Sequence, residues 1–337
     1  PLCEVGSPAS RFALPPAAFH AWADEQQHSF PHAMTCLTTH DTKRSEDVRA
    51  RLSVLSEAAE EWDATVTRLQ EASARIRPAL LDGRTENLWW QTLVGTSDEA
   101  GFMDWDRLEG YLVKAMREAK THTSWTGVDA DYESAVLWFA QSTHADAKVR
   151  GIVHEWHASV AAGARAAILS TKLIQLTIPG IPDVYQGTEM VAPSLVDPDN
   201  RRAVDFDRRA EALGRLTRRA KAQSLDDEKL LVTARALQVR RDHREAFVGP
   251  ESGYQPLPSS SGHAVVFART VADEPRVVTI ATRLGHDLEK LGGWREHTVS
   301  LPEGTWTDAL SGKSFEGGPV ELADLVTVHP VALLVAS

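Results

Sequence analysis

The feature that most constrains this chain is how few strands its first three quarters can supply. Ahead of residue 257, only two short apolar runs have strand character, "AMTCLT" at 33–38 and "IPDVYQG" at 181–187. Nearly everything between them has helical spacing. Strands that alternate with helices pair in parallel, but two such strands cannot make a stable sheet alone, because both faces and both edges need cover. The expectation is that these two belong to a larger α/β sheet whose other strands lie upstream. The opening "PLCEVGSPASRF", with neither an initiator Met nor a signal-peptide pattern, reads as a chain entered midway.

The helical expectations are specific. Residues 15–28 place Phe19, Trp22 and Ala23 on one face behind a leading proline. Ser45 is placed to N-cap the next helix, with Glu46 and Asp47 in its first turn and Val48, Leu52 and Leu55 on its apolar side. Trp62, Val66 and Leu69 mark another helix, and "ENLWWQTLVG", "WDRLEGYLVKAMREAK" and "YESAVLWFAQ" mark three more, with a loop at 121–129. A long helix over 155–176 leads into "TIPGIPDVYQGTEM", and 205–245 is helical again. Beyond 257 the pattern changes to short strands separated by turn residues: "HAVVFART", "RVVTIATRL", "HTVSLPEG", "TWTDALSG" and "PVALLVAS". "PLPSSSGH" is the best linker.

Bulk properties exclude several function classes. The 337 residues carry a net charge of −11, which disfavours nucleic acid, whose phosphates need a concentrated basic surface. The basic runs "LTRRAK" and "ALQVRRDHR" lie in helical stretches and read as solvated faces. No apolar stretch reaches the roughly 18 residues that span a bilayer. Two cysteines, Cys3 and Cys36, make no disulfide framework and fit a reducing cytoplasm; Cys36, inside an apolar run, reads as a core residue.

Three polar clusters could do chemistry. The first is "THDTKRSED", where His40, Asp41, Lys43 and Arg44 crowd the turn before the helix starts. A helix start accounts for Ser45, Glu46 and Asp47 but not for the His-Asp pair. The second is Tyr185, Gln186 and Glu189 at the end of the "IPDVYQG" run, and the third is "DPDNRRAVDF", with Asp199, Asn200 and Arg201 in a turn. "HEWH" at 154–157 lacks the spacing of a zinc helix and reads as helix surface. There is no Walker A sequence and no G-x-G-x-x-G after a strand. Most of the ten tryptophans read as core, while Trp125, in a polar loop, is a candidate for stacking on a sugar ring.

Taken together, "TTHDTKRSEDVRAR", "GIPDVYQGTE" and "SLVDPDNRRAVDF" resemble the α-amylase-type glycoside hydrolases, and the first and third resemble their trehalose-forming members. The resemblance covers essentially the whole chain. It implies an α/β fold in which the chain is the C-terminal part of a (β/α)8 barrel, strands seven and eight, with a large helical insertion and a following antiparallel β domain. The implied divisions are 1–59, 60–165, 166–256 and 257–337. The implied reaction is a retaining intramolecular transglucosylation that turns the reducing-end α-1,4 linkage of a maltooligosaccharide into an α,α-1,1 linkage. Asp41 would be the carboxylate that stabilises the transition state, with His40 beside it. Lys43, Arg44, Trp125, Tyr185, Gln186, Glu189, Asp199, Asn200 and Arg201 would contact substrate, with no metal or cofactor. The family's nucleophile and acid/base precede strand seven, so the implied partner is the N-terminal part of the same enzyme. Two alternatives stay open: an α-glucan hydrolase or 4-α-glucanotransferase on the same barrel, and a non-catalytic glycan-binding fragment.

Overall fold

The computed structural model describes residues 10, 12–98, 101–218 and 221–337. Cys3 and most of the opening "PLCEVGSPASRF" therefore lie outside the described residues. The chain divides into two compact units, one of 1–39, 162–192 and 203–337, the other of 40–161 and 193–202.

Among the described residues, the first unit holds all eight strands. β1 (Met34–Cys36) and β2 (Ile181–Asp183) pair in parallel, Met34 opposite Ile181 and Cys36 opposite Asp183. Only three residues of each expected strand are extended. Gln175, near the end of the helix Ala147–Thr177, fastens both: its amide donates to the carbonyls of Thr35 and Asp183 at 3.1 and 2.6 Å. The Thr35 hydroxyl donates back to the Gln175 carbonyl. The opposite face is uncovered, with Met34 69% and Ile181 39% exposed. Cys36 shares that face and is exposed, which corrects its reading as core; its apolar neighbours describe the strand, not what packs on it. Gly180, at φ +126°, leads into β2, and Arg240 donates to its carbonyl and to that of Leu176. Burial pulls the Arg240 guanidinium down to about 10, so this member of the basic run is half-buried structure and not a solvated face.

The remaining strands form one antiparallel sheet in the order β3-β4-β5-β8-β6-β7. They are β3 (Ser252–Pro256), β4 (Ala264–Val271), β5 (Glu274–Thr282), β6 (Thr298–Asp308), β7 (Ser314–Glu321) and β8 (Val331–Ala336). One face gathers Val266, Ala268, Val278, Ile280, Trp306 and Leu334. From the other face, Val277, Ala281, Val331 and Leu333 pack on Leu169, Leu173, Val232 and Val239 of the helices Ala147–Thr177 and Leu225–Asp242. Cover on both faces explains the continuous apolar runs of β5 and β8. "HTVSLPEG" and the start of "TWTDALSG" form a single strand, β6. "PLPSSSGH" connects β3 to β4 within the sheet, where Leu257 N–H bonds to Val266 and Ser259 bridges Val299, so it is not an interdomain linker.

The second unit is helical: Glu46–Ser53, Ala59–Ser73, Gly83–Thr96, Trp105–Ala119, Ala130–Ala145 and the first part of Ala147–Thr177. Its core includes Trp89, Trp90, Leu93, Leu108, Leu112, Val136 and Phe139, with Trp90 and Phe139 meeting edge to face at 5.6 Å. Asp82 caps Gly83–Thr96 by accepting the N–H groups of Arg84 and Thr85, and accepts the Tyr132 hydroxyl at 2.8 Å. Burial opposes its charge, yet these donors hold it at about 2. A Cβ on Gly95 would stand 2.9 Å from Val48 Cγ1, so glycine lets Glu46–Ser53 and Gly83–Thr96 approach closely. Among the described residues no helix is long and apolar enough to cross a membrane.

Candidate functional site

The helical unit brings together two segments that lie more than 140 residues apart in the sequence, 40–49 and 193–202. Backbone joins them first: Ser45 N–H donates to Ser194 at 2.9 Å, and Arg44 and Leu195 form an antiparallel bridge. Side chains then tie the His-Asp turn to the "DPDNRR" turn. Asn200 Nδ2 donates to the His40 carbonyl at 2.8 Å. His40 Nε2 lies 3.1 Å from Asp197 Oδ1, and its Nδ1 lies 3.3 Å from Asp41 Oδ1. Arg201 pairs with Asp197. One imidazole thus stands between two carboxylates supplied by different turns.

Sequence reasoning missed Asp197 and missed what supports these turns. On the helix Trp105–Ala119, Arg107 gives Asp199 a two-pronged ion pair at 2.7 and 2.9 Å. Lys114 donates to the Asp197 carbonyl at 2.7 Å, and Glu118 accepts from Lys43 at 2.9 Å. Positions 107, 114 and 118 fall on one stripe of a helix, beside the apolar stripe of Leu108, Leu112 and Met116. The spacing was visible in the sequence; its partners, some 75 to 92 residues away, were not.

Exposure separates the expected site residues. The Asp41 side chain is 78% exposed, against 25% for Asp197 and 8% for Asp199. Asp199 also accepts Leu195 N–H at 2.8 Å, so its bonds serve the turn itself. Arg44 donates to Gln91 and Thr92 on the helix Gly83–Thr96, and Asn200 is buried. Glu46 and Asp47 are buried as well, and Ser45 holds the N-cap position without a side-chain capping bond. This helix start is therefore packed inward and is not the ordinary solvated one.

Trp125 sits in the 120–129 loop with Arg117 5.0 Å from its ring centre and is 55% exposed. Glu133 fixes that loop, accepting Arg117 at 2.9 and 2.8 Å and the Thr123 hydroxyl at 2.6 Å. Arg117, more than burial opposes it, holds the Glu133 carboxyl below its usual range. Tyr185, Gln186 and Glu189 belong to the strand-bearing unit. There Gln186 is exposed, while Glu189 pairs with Arg209, which also donates to the Gly187 carbonyl at 2.9 Å. In "HEWH", His154 is exposed but His157 is not on the helix surface: its Nε2 lies 2.8 Å from the Ser97 hydroxyl. Burial, and then the charge of Arg51, depress its imidazole to about 4. Among the described residues no group of three or more His, Cys, Asp or Glu is arranged to hold a metal ion.

Comparison with known proteins gives a consistent set of relatives. No family model matches the chain. It is 38% identical, over 99% of its own length and 41% of the relative's, to a protein of Mycobacterium tuberculosis strain H37Rv described as "Putative maltooligosyl trehalose synthase". The maltooligosyltrehalose synthase of Arthrobacter ramosus superposes with a TM-score of 0.89 at 37% identity, over 100% of this chain and 43% of that one. A glycosyltrehalose synthase described as DSM5389 gives 0.82 at 30% identity, over 99% and 42%. In sequence and structure the chain matches the C-terminal portion of these enzymes, and it spans about two fifths of their length.

Proposed function

We propose, from that match to the C-terminal portion of maltooligosyltrehalose synthases, that the chain is part of an enzyme moving the reducing-end glucose of a maltooligosaccharide from an α-1,4 to an α,α-1,1 linkage. The observation that carries this reading is the joining of the His40–Asp41 turn to the 197–201 turn within one unit. In the reaction, a carboxylate nucleophile takes the anomeric carbon at the scissile bond while an acid protonates the departing glucose oxygen. The freed glucose then attacks the same carbon through its own anomeric hydroxyl, returns a proton to the acid/base, and releases the nucleophile. Atoms are conserved, so the change is an isomerisation.

The nucleophile and the acid/base fall to the part of the relatives' length that this chain does not span. Asp41 is assigned to the positive, flattened-ring transition state, which an exposed carboxylate on a held turn binds better than the neutral ground state. His40, Lys43 and Arg201 line the same turns as donors to sugar hydroxyls, with Trp125 as a stacking platform in the same unit; Tyr185 and Gln186, in the strand-bearing unit, keep their assignment as substrate contacts there. Arg44, Glu189, Asp199 and Asn200 hold the loops. β1 and β2 are assigned as strands seven and eight of a (β/α)8 barrel. Their one-sided cover supports this, since in such a barrel helices cover the outside of the strands and the remaining strands enclose the inside.

The test uses maltopentaose. The enzyme completed by its upstream part is expected to give a trehalose-ended product with loss of reducing ends, and Asp41→Asn to abolish it. The chain alone is expected to give none. A trehalose-ended product from the chain alone would overturn the division of catalytic groups. Growth of reducing ends in the completed enzyme would replace the isomerase with a hydrolase.

A further inference from the structure

Arg107 lies outside every motif that marks the site, yet its guanidinium makes a largely buried ion pair in it. Both prongs reach Asp199, whose side chain is 8% exposed, and Nη2 also lies 3.4 Å from the Pro193 carbonyl. Asp199 passes the restraint on, because its Oδ2 accepts Leu195 N–H. Leu195 is the residue bridged to Arg44, three positions from Asp41. One turn and one loop thus hang from a single guanidinium, and two further residues of the same helix stripe, Lys114 and Glu118, reach the Asp197 carbonyl and Lys43.

We propose that Arg107 is a positioning residue that sets selectivity in the transfer reaction, by keeping the 193–202 turn registered on the His40–Asp41 turn while the freed glucose reorients. This rests on the function proposed above. The glucose must stay within reach of the intermediate through a rotation, and a turn that drifts gives it room to leave and water room to enter. Near-attack geometry is sensitive to displacements of about 1 Å. A planar, forked donor resists such drift in a way a single ammonium does not. The helical unit then acts as more than an insertion: the stripe of Trp105–Ala119 makes the turn stiff.

Two measurements test this. In the completed enzyme, Arg107→Lys and Arg107→Met are expected to raise glucose release relative to trehalose-ended product by about 3–10-fold, with the larger change in the partition between products and little in KM. Arg68→Met, which removes an ion pair to Glu155 on the exposed surface of the same unit, is the control and is expected to leave the ratio unchanged. In the chain alone, amide exchange at Leu195 is expected to accelerate in Arg107→Lys while protection across Gly83–Thr96 holds. An unchanged product ratio in a folded variant would overturn the selectivity role, and an unchanged Leu195 exchange rate would overturn the positioning role. Should the unsubstituted completed enzyme form no trehalose-ended product, the proposed function fails, while the exchange measurement still decides whether Arg107 holds the turn.

Discussion

Acid should destabilise the strand-bearing unit in substantial part through one carboxylate, Glu228. On the helix Leu225–Asp242 it accepts two N–H groups from Arg165, at 2.7 and 2.6 Å, and lies 3.1 Å from Nδ1 of the buried His329. Burial opposes its charge, but Arg165 and then His329 outweigh that and hold the carboxyl at about 2, against 4.5 unperturbed. Because the folded value is the lower one, the stabilisation is complete above about pH 4.5 and is lost as pH falls toward 2. At about 1.36 kcal/mol per unit, the depression is worth roughly 3 kcal/mol. Glu228 is 15% exposed, but Arg165 is 37% exposed, and solvent screening brings the figure to about 2 kcal/mol. Glu228→Gln keeps the shape and removes the titration. Urea unfolding of both proteins at pH 6 and pH 3 measures most of the difference: the parent should lose about 1.5 kcal/mol more than the variant. Equal losses would refute the assignment, since other carboxylates would then carry the acid sensitivity.

The helical unit should respond to acid in a higher window. His157, held at about 4 against 6.5 unperturbed, is neutral when folded, so its contribution is present above pH 6.5 and drains as pH falls toward 4; His157→Gln should flatten the melting temperature of that unit between pH 7 and 5, and an unchanged slope would exclude His157 as the cause. Gly180→Ala should lower stability by about 2 kcal/mol or more, because φ is +126° and the new Cβ would stand 2.7 Å from the Ala33 carbonyl oxygen. Gly151→Ala, in the second turn of the helix Ala147–Thr177 with nothing within 4 Å of its Cβ, should instead stabilise by about 0.5–1 kcal/mol; denaturant midpoints of the pair give both signs in one experiment.

What the sequence made legible was local. Helices carry their 3.6-residue period wherever they pack, so Trp62–Leu69 and the Trp89–Leu93 stretch could be read directly, and the "THD" turn could be read because an ordinary helix start leaves it unexplained. Central strands with both faces covered, β4, β5 and β8, announced themselves by continuous apolar runs. The two strands that went unread, "SGYQP" and "SFEGGPVE", are the sheet's edges. An edge pairs on one side only and tolerates Pro, Gly and charge there, which erases the alternation that reading depends on. The support of the site was illegible for a different reason. Arg107 lies 92 residues from Asp199, and nothing in an amphipathic helix says which of its charged positions meets a turn and which meets water.

That support also separates the acids of the site by role. Three aspartates fall within the two joined turns, and repulsion among them would open the turns unless cations were interleaved. Arg107 answers Asp199, Arg201 answers Asp197, and Lys43 is drawn to Glu118 on the supporting helix. The two more buried carboxylates are thereby committed to geometry, and charge that would pull the turns apart holds them together instead. Asp41 is the exposed member of the three, on a backbone fixed from below by the Asn200 bond to the neighbouring carbonyl. A carboxylate stabilises a developing positive charge most when it does not have to reorganise to meet it. Under the function proposed above, the held backbone of its turn, tied by Asn200 and by the Asp197 and Asp199 contacts, is what would limit that reorganisation at Asp41.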